Sequence, residues 1–241
     1  QSLRNWWMDE GKPKGKRVSR YKNAPEEATV RTVKLVAMND TQQRYISALQ
    51  THKQIIVTGF SGTGKTFIAA SHAANLYANR KIDRIIITRP NISVGKDLGY
   101  LPGTLEEKYT PWIMPVLDVL EQQLGKNVVE TGVKNGNIQM VPLSVMRGRS
   151  FNKSFIIVDE AQNLTIHEMK MLLTRVGKEC TIVINGDIKQ SDINQQSGLS
   201  KILHLAKKYN MDIPTIEFGV DDIVRSDICK QWIIAFEGEN L

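Results

Sequence analysis

Cysteine is scarce in this chain of 241 residues: Cys180 and Cys229 are the only two. Neither belongs to a C-x-x-C pair or stands at metal-ligand spacing. That argues against a thiolate zinc centre and leaves two inert thiols suited to a reducing, cytoplasmic compartment. Long apolar runs are missing too. No stretch of about 18 apolar residues exists, so no membrane-spanning helix is expected. A signal-peptide pattern and an initiator methionine are both lacking, as in a processed or trimmed chain. There is no internal repeat and no low-complexity tract.

Acidic charge is short at one end. Residues 1–22 hold seven Lys/Arg against Asp9 and Glu10, so the tail carries +5 of the chain's net +7 and the other 219 residues carry +2. The stretch "GKPKGKRVSRYK" has no apolar periodicity. It reads as a basic arm for nucleic acid, as a solvated linker, or as sequence that docks on the domain. Trp6 and Trp7, two adjacent indoles, weigh against pure disorder. We divide the chain into a basic tail over 1–24 and one domain over 25–241. A hydrophobic content of 41% suffices for a sizeable core.

β-Rich runs lie at 55–58, 84–90, 138–143, 154–160, 180–187 and 214–218. Helical patterns lie near 65–79, 112–124, 165–175, 198–209 and 221–236. Continuous apolar strands mean that both sheet faces are covered. Their alternation with helices predicts an α/β fold with a mostly parallel, doubly wound sheet flanked by helices. Residues 91–111, rich in Gly and Pro, read as an irregular functional segment. Residues 124–137 read as a turn-rich connection or a small hairpin.

One motif carries specific chemistry. "GFSGTGKT" places Gly59, four residues, then Gly64-Lys65-Thr66 between a strand and a helix, which is the P-loop pattern in its required context. Gly59, Gly62 and Gly64 let the backbone curl so that amides, including those of Ser61 and Thr63, point inward at phosphate. The positive end of the following helix adds to that field. Lys65 suits the β- and γ-phosphates, and the Thr66 hydroxyl suits Mg²⁺.

Other chemical residues fall where strands end, which is where ligands sit in parallel sheets. "FIIVDEAQN" ends in Asp159, suited to Mg²⁺, and Glu160, suited to activating water as a general base. The adjacent Glu favours hydrolysis over transfer to a substrate hydroxyl. "INGDIKQ" brings Gln190 to another strand end, in reach of a γ-phosphate or its water. Arg89 of "ITRP" suits phosphate or a nucleic-acid backbone. Arg147 and Arg149 flank Gly148 and suit an anion, or surface ion pairs. Arg225 of "DDIVRSDI" is placed as a sensor or arginine finger, with nearby Asp residues as alternative partners.

Together "GFSGTGKT", "TRP", "LGYLPGTLEEK", "PLSVMRGRSF", "FIIVDEAQN", "GDIKQSD" and "DDIVRSDI" resemble the successive motifs of the PhoH-like ATPases of bacteria and phage, the phosphate-starvation-inducible proteins. The resemblance runs from about residue 38 to 237. It implies a single RecA-like core related to superfamily 1 helicases. It also implies ATP hydrolysis, RNA or single-stranded nucleic-acid partners, and ring-like homo-oligomers, often hexamers. By the same resemblance Gln162 completes the Asp-Glu-x-Gln box, and Gln42 of "NDTQQRY", or Gln43, reads adenine. The PIN-type nuclease domain of some relatives finds no room here, so ribonuclease activity is not expected. With one core in the chain, a neighbouring subunit is expected to complete the site through Arg147, Arg149 or Arg225.

The leading expectation is a Mg²⁺-dependent ATPase coupled to RNA or single-stranded DNA. The rival is a nucleotide-gated assembly or binding module with slow, incidental hydrolysis. A metabolic P-loop kinase is a third reading, and it lacks an evident acceptor-binding lid.

Overall fold

The computed structural model describes residues 34–90, 105–146, 150–191 and 196–239. The basic tail, the 91–103 segment, Arg147 and Arg149 lie outside the described residues. Six strands form one sheet: β1 (Gln54–Gly59), β2 (Arg84–Thr88), β3 (Ile138–Met140), β4 (Ser154–Val158), β5 (Thr181–Gly186) and β6 (Thr215–Phe218). Their order is β3-β2-β4-β5-β1-β6, and every pairing is parallel.

The strand sequences explain why both faces are covered. Side chains alternate along a strand, so an unbroken apolar run feeds two cores at once. Ile55, Val57, Ile85, Ile87, Phe155, Ile157 and Val183 point into one. Ile56, Ile86, Ile156, Val158, Ile182 and Ile184 point into the other. The first core is closed by α1 (Asp40–Thr51), α2 (Lys65–Ala78), α3 (Leu105–Leu124) and α4 (Lys126–Lys134). The second is closed by α5 (Leu143–Met146), α6 (Ile166–Leu173) and α7 (Gly198–Lys208). Each fully buried Ile contributes roughly 2–3 kcal/mol by leaving water, so the six short strands carry most of the hydrophobic drive. The last helix, α8 (Asp227–Gly238), is different: Ile228, Trp232 and Phe236 are 60%, 59% and 51% exposed.

All six expected strands are present, and four of the five expected helices keep their places. Three local expectations need correction. Residues 124–137 hold α4, not a hairpin. Gly132 looks like a turn signal, but it lies in the helix where a Cβ would come 2.8 Å from Ile138 Cδ1. It is small for packing. Helix α3 begins at Leu105, so the irregular segment ends earlier than Pro111 suggests. The 221–236 pattern splits into a short 3-10 turn over 220–222 and α8. Helix α1 was also unexpected at its full length; Asn39 caps it by accepting from the Gln42 amide at 2.8 Å.

Candidate active site

The carboxyl ends of β1, β4 and β5 are adjacent or next-but-one in the sheet, and their following turns converge on one cleft of about 290 Å³. Its floor is the turn between β1 and α2. Gly59, Gly62 and Gly64 there have φ of 121°, 80° and 91°, which favour glycine. A Cβ on Gly62 would lie 2.6 Å from Arg225 Nε. Thr63 is fully buried and braces the turn by donating from Oγ1 to the Phe60 carbonyl at 2.9 Å. The N-cap of α2 is Gly64, which offers no side-chain cap, in contrast to the complete Thr165–Glu168 capping box of α6. The first amides of α2 are thereby left to an anion.

Lys65 Nζ folds over the turn and donates to the carbonyls of Gly59 and Phe60, both at 2.6 Å. Burial lowers its pKa, with Arg225 adding to that effect, while Asp187, Asp159 and Glu160 oppose it. Thr66 Oγ1 donates to Asp159 Oδ1 at 2.9 Å. This bond joins the phosphate turn to the end of β4. Burial pushes the Asp159 pKa up, reinforced by the neighbouring Glu160, against the Thr66 hydrogen bond and the charges of Arg89 and Lys65. Thr66 and Asp159 offer hard oxygen donors of the kind Mg²⁺ takes, and a cation there would supply the counter-charge that Asp159 needs. Among the described residues no cluster of three His, Cys, Asp or Glu could hold a metal alone. Such an ion would complete its shell with phosphate and water oxygens.

Glu160 is a left-handed residue, φ 53° and ψ 38°. Non-glycine residues hold that conformation at a cost and cluster at functional sites. Two side chains fix its carboxylate. Gln162 Nε2 donates to Oε2 at 2.6 Å, and Arg89 Nη2 lies 3.5 Å from Oε1. Gln162, itself buried, also accepts from the Asp187 amide at 3.0 Å. It therefore ties the end of β4 to the end of β5.

The cleft gathers Ser61, Gly62, Gly64, Lys65, Thr66, Arg89, Asp159, Glu160, Gln190 and Arg225. Gln190 ends a 3-10 turn after β5 and is exposed. Arg225 lies over the phosphate turn of its own chain, anchored by the Val224 amide, which donates to the Gly62 carbonyl at 3.1 Å. Gln42 does not line the cleft. It is buried beneath the turn, where Nε2 donates to the Thr63 carbonyl at 3.1 Å and Oε1 accepts from the Met38 amide at 2.8 Å. Four lining residues were not named as site residues from the sequence: Gly186, Asp187, Phe67 and Pro115. Asp187 carried the same signal as Asp159, an acid at a strand's carboxyl end. Phe67 and Pro115 carried none.

A family model described as PhoH-like protein matches residues 34–237. Protein PhoH of Escherichia coli (strain K12) is 39% identical over 209 residues, covering 85% of this chain and 59% of that protein. A PhoH-like protein of Bacillus subtilis (strain 168) is 37% identical over 201 residues, covering 83% and 63%. The chain thus spans about three-fifths of the length of these curated relatives. Among solved structures, the large terminase of a thermophilic bacteriophage is similar with a TM-score of 0.50 at 12% identity. The match covers 80% of this chain and 49% of that one, a likeness of fold alone.

Proposed function

The chain belongs to the PhoH-like family, and from that premise we propose that it is a Mg²⁺-dependent ATPase acting on RNA or single-stranded nucleic acid. The observation that carries the reading is the 2.9 Å bond between Thr66 and Asp159, which puts the anion-binding turn beside an acidic pair. The loop amides and Lys65 bind the triphosphate, whose oxygens replace the carbonyls that Lys65 now touches. Thr66 and Asp159 hold Mg²⁺, which when bound neutralises phosphate charge. Glu160, oriented by Gln162 and Arg89, takes the proton of the attacking water. Gln190 positions that water or senses the γ-phosphate. Arg225 meets developing phosphate charge from within the same chain.

Gln42 supports this site from below the turn, with one amide hydrogen left over for adenine. Assembly into a ring is the outermost part of the proposal. It is supported by the stripe of Ile228, Trp232 and Phe236, one turn apart on α8, with the two aromatic rings stacked at 5.7 Å.

Phosphate release by purified protein tests the reading. Glu160→Gln should lower turnover by about 100-fold or more while ATP binding persists. Unchanged turnover would remove Glu160 as base. Wild-type hydrolysis that RNA and single-stranded DNA leave unchanged would favour the nucleotide-gated module instead.

A further inference from the structure

The parallel sheet has a second functional edge. Every connection that enters a strand reaches the amino-terminal edge, opposite the cleft, and hydrogen bonds link these connections in sheet order. Asn137 Nδ2 donates to the Asp83 carbonyl at 3.1 Å, joining the entries to β3 and β2. The Asp83 amide donates to the Lys153 carbonyl at 2.8 Å, and the Lys153 amide to the Lys178 carbonyl at 3.2 Å. Those bonds join β2, β4 and β5. The Ile182 amide donates to the Lys53 carbonyl at 2.8 Å, and His52 lies 3.5 Å from Asp212, which brings in β1 and β6. Neighbouring strands are about 4.8 Å apart, so the edge is roughly 24 Å long.

Its charge is one-sided. The entering segments 52–53, 79–84, 134–137, 151–153, 174–180 and 207–214 hold ten Lys/Arg and three Asp/Glu. All the other described residues hold eleven Lys/Arg and sixteen Asp/Glu. Of the ten cations only Arg175 is not exposed. One of the three acids is already engaged, Asp83 with Lys153 at 3.2 Å. Among the described residues a basic edge is therefore set against an acidic remainder.

Two further features fit a polyanion with stackable bases. Four of the five described non-glycine residues at positive φ lie here: Arg80, Lys153, Glu179 and Asn210. Left-handed backbone costs about 1–2 kcal/mol for a residue with a Cβ, and two of these tight turns spend it on a cation. At the β6 end Tyr209 is 66% exposed, with Lys208 Nζ 5.5 Å from its ring centroid. An exposed ring beside an ammonium group is a platform for a base.

We propose that this edge binds the sugar-phosphate backbone of a single nucleic-acid strand without regard to sequence, with Tyr209 stacking on a base. The proposal rests on the nucleic-acid-coupled reading above and adds where the strand lies: away from the ATP cleft. A lipid surface fits less well, because the exposed large apolar residues of the edge are limited to Val133, Tyr209 and Met211 among the described residues.

The test is fluorescence anisotropy of the full chain with labelled oligo(U) and oligo(dT) of about 20 nucleotides, across a potassium chloride series. The edge variant Lys53→Glu/Lys81→Glu/Lys178→Glu is compared with a charge-matched control, Lys170→Glu/Lys201→Glu/Lys230→Glu, both checked by thermal melts. The edge variant should bind at least about tenfold more weakly near 50 mM salt, and its log–log salt slope should shrink by about two. The control should stay within about threefold of wild type, and Lys65→Ala should keep wild-type affinity. Equal weakening of both triple variants, or none in the edge variant, overturns the proposal. So does loss of binding in Lys65→Ala, which would move the strand to the cleft. Sedimentation with phosphatidylserine vesicles by protein that ignores both oligonucleotides would overturn it in favour of a membrane. Phosphate release by Lys65→Ala separates the two ideas: wild-type turnover there defeats the ATPase reading and leaves the edge proposal standing.

Discussion

Asp159 is where stability and function oppose each other at the scale of single residues. Its folded-state pKa is raised, chiefly by burial and then by Glu160. A raised carboxyl pKa stabilises the fold below the ordinary carboxylate range and loses that contribution as pH rises through the folded value. At neutral pH the ionised group therefore costs stability. Asp159→Asn should raise Tm by a few degrees at pH 7 without nucleotide, lose that advantage near pH 3–4, and abolish phosphate release. A lower Tm at pH 7 would show that the Thr66 bond outweighs the buried charge. Gln162 gives a second residue-scale outcome. Gln162→Ala removes the donor to Glu160 and leaves the buried Asp187 amide without its acceptor, at a cost of about 1–3 kcal/mol. Turnover should fall by about 100-fold through misplacement of Glu160, with ATP affinity nearly kept. Lys65 and Thr66 were legible from the spacing of one motif, and Asp159 from its place at a strand's carboxyl end. The bridging role of Gln162 and the position of Arg225 over Gly62 were not, because both are contacts between segments distant in the chain.

At the scale of elements, the strands were read well because a continuous apolar run has one good solution, a strand covered on both faces. The helices were read less well where Gly or Pro lies inside them. Gly132 is a helix residue that makes room for Ile138, and Pro111 lies inside α3. Helix α2 carries a pH dependence of its own. His72, beside Phe155 with ring centroids 5.8 Å apart, has its pKa pushed down to about 4 by burial and by Lys81, partly offset by a hydrogen bond to the Leu49 backbone. The unfolded chain takes up that proton first. Stability should then be level above about pH 6.5 and fall toward pH 4, by up to about 1.4 kcal/mol per pH unit. Thermal melts at pH 7 and pH 5 measure this, and His72→Gln should flatten the difference between them. An undiminished difference in that variant would assign the acid loss to other groups. On α8, Trp232→Glu should shift sedimenting material toward monomer if the Ile228–Trp232–Phe236 stripe is covered by another subunit. A mass unchanged from wild type would exclude the stripe from assembly.

The whole molecule is polarised twice along the strand direction. One edge of the sheet gathers the phosphate turn and the acidic pair, and the other gathers nine of the fifteen exposed cations among the described residues. The sequence hides the second arrangement. Its lysines and arginines are scattered over six connections, and only the parallel topology collects them. The charge count that looked nearly neutral outside the tail was correct as a sum and silent about placement. The first arrangement is the more central, because the proposed ATP hydrolysis requires the turn and the acids to grip one metal–triphosphate together. Calorimetric titration of ATP into the wild-type protein, with Mg²⁺ and again with the metal chelated, asks this most directly. Affinity should be at least about tenfold tighter with Mg²⁺, a difference of about 1.4 kcal/mol, and that gain should vanish in Thr66→Val. Equal affinities in the presence and absence of Mg²⁺, or no heat of ATP binding at all, would contradict a shared grip.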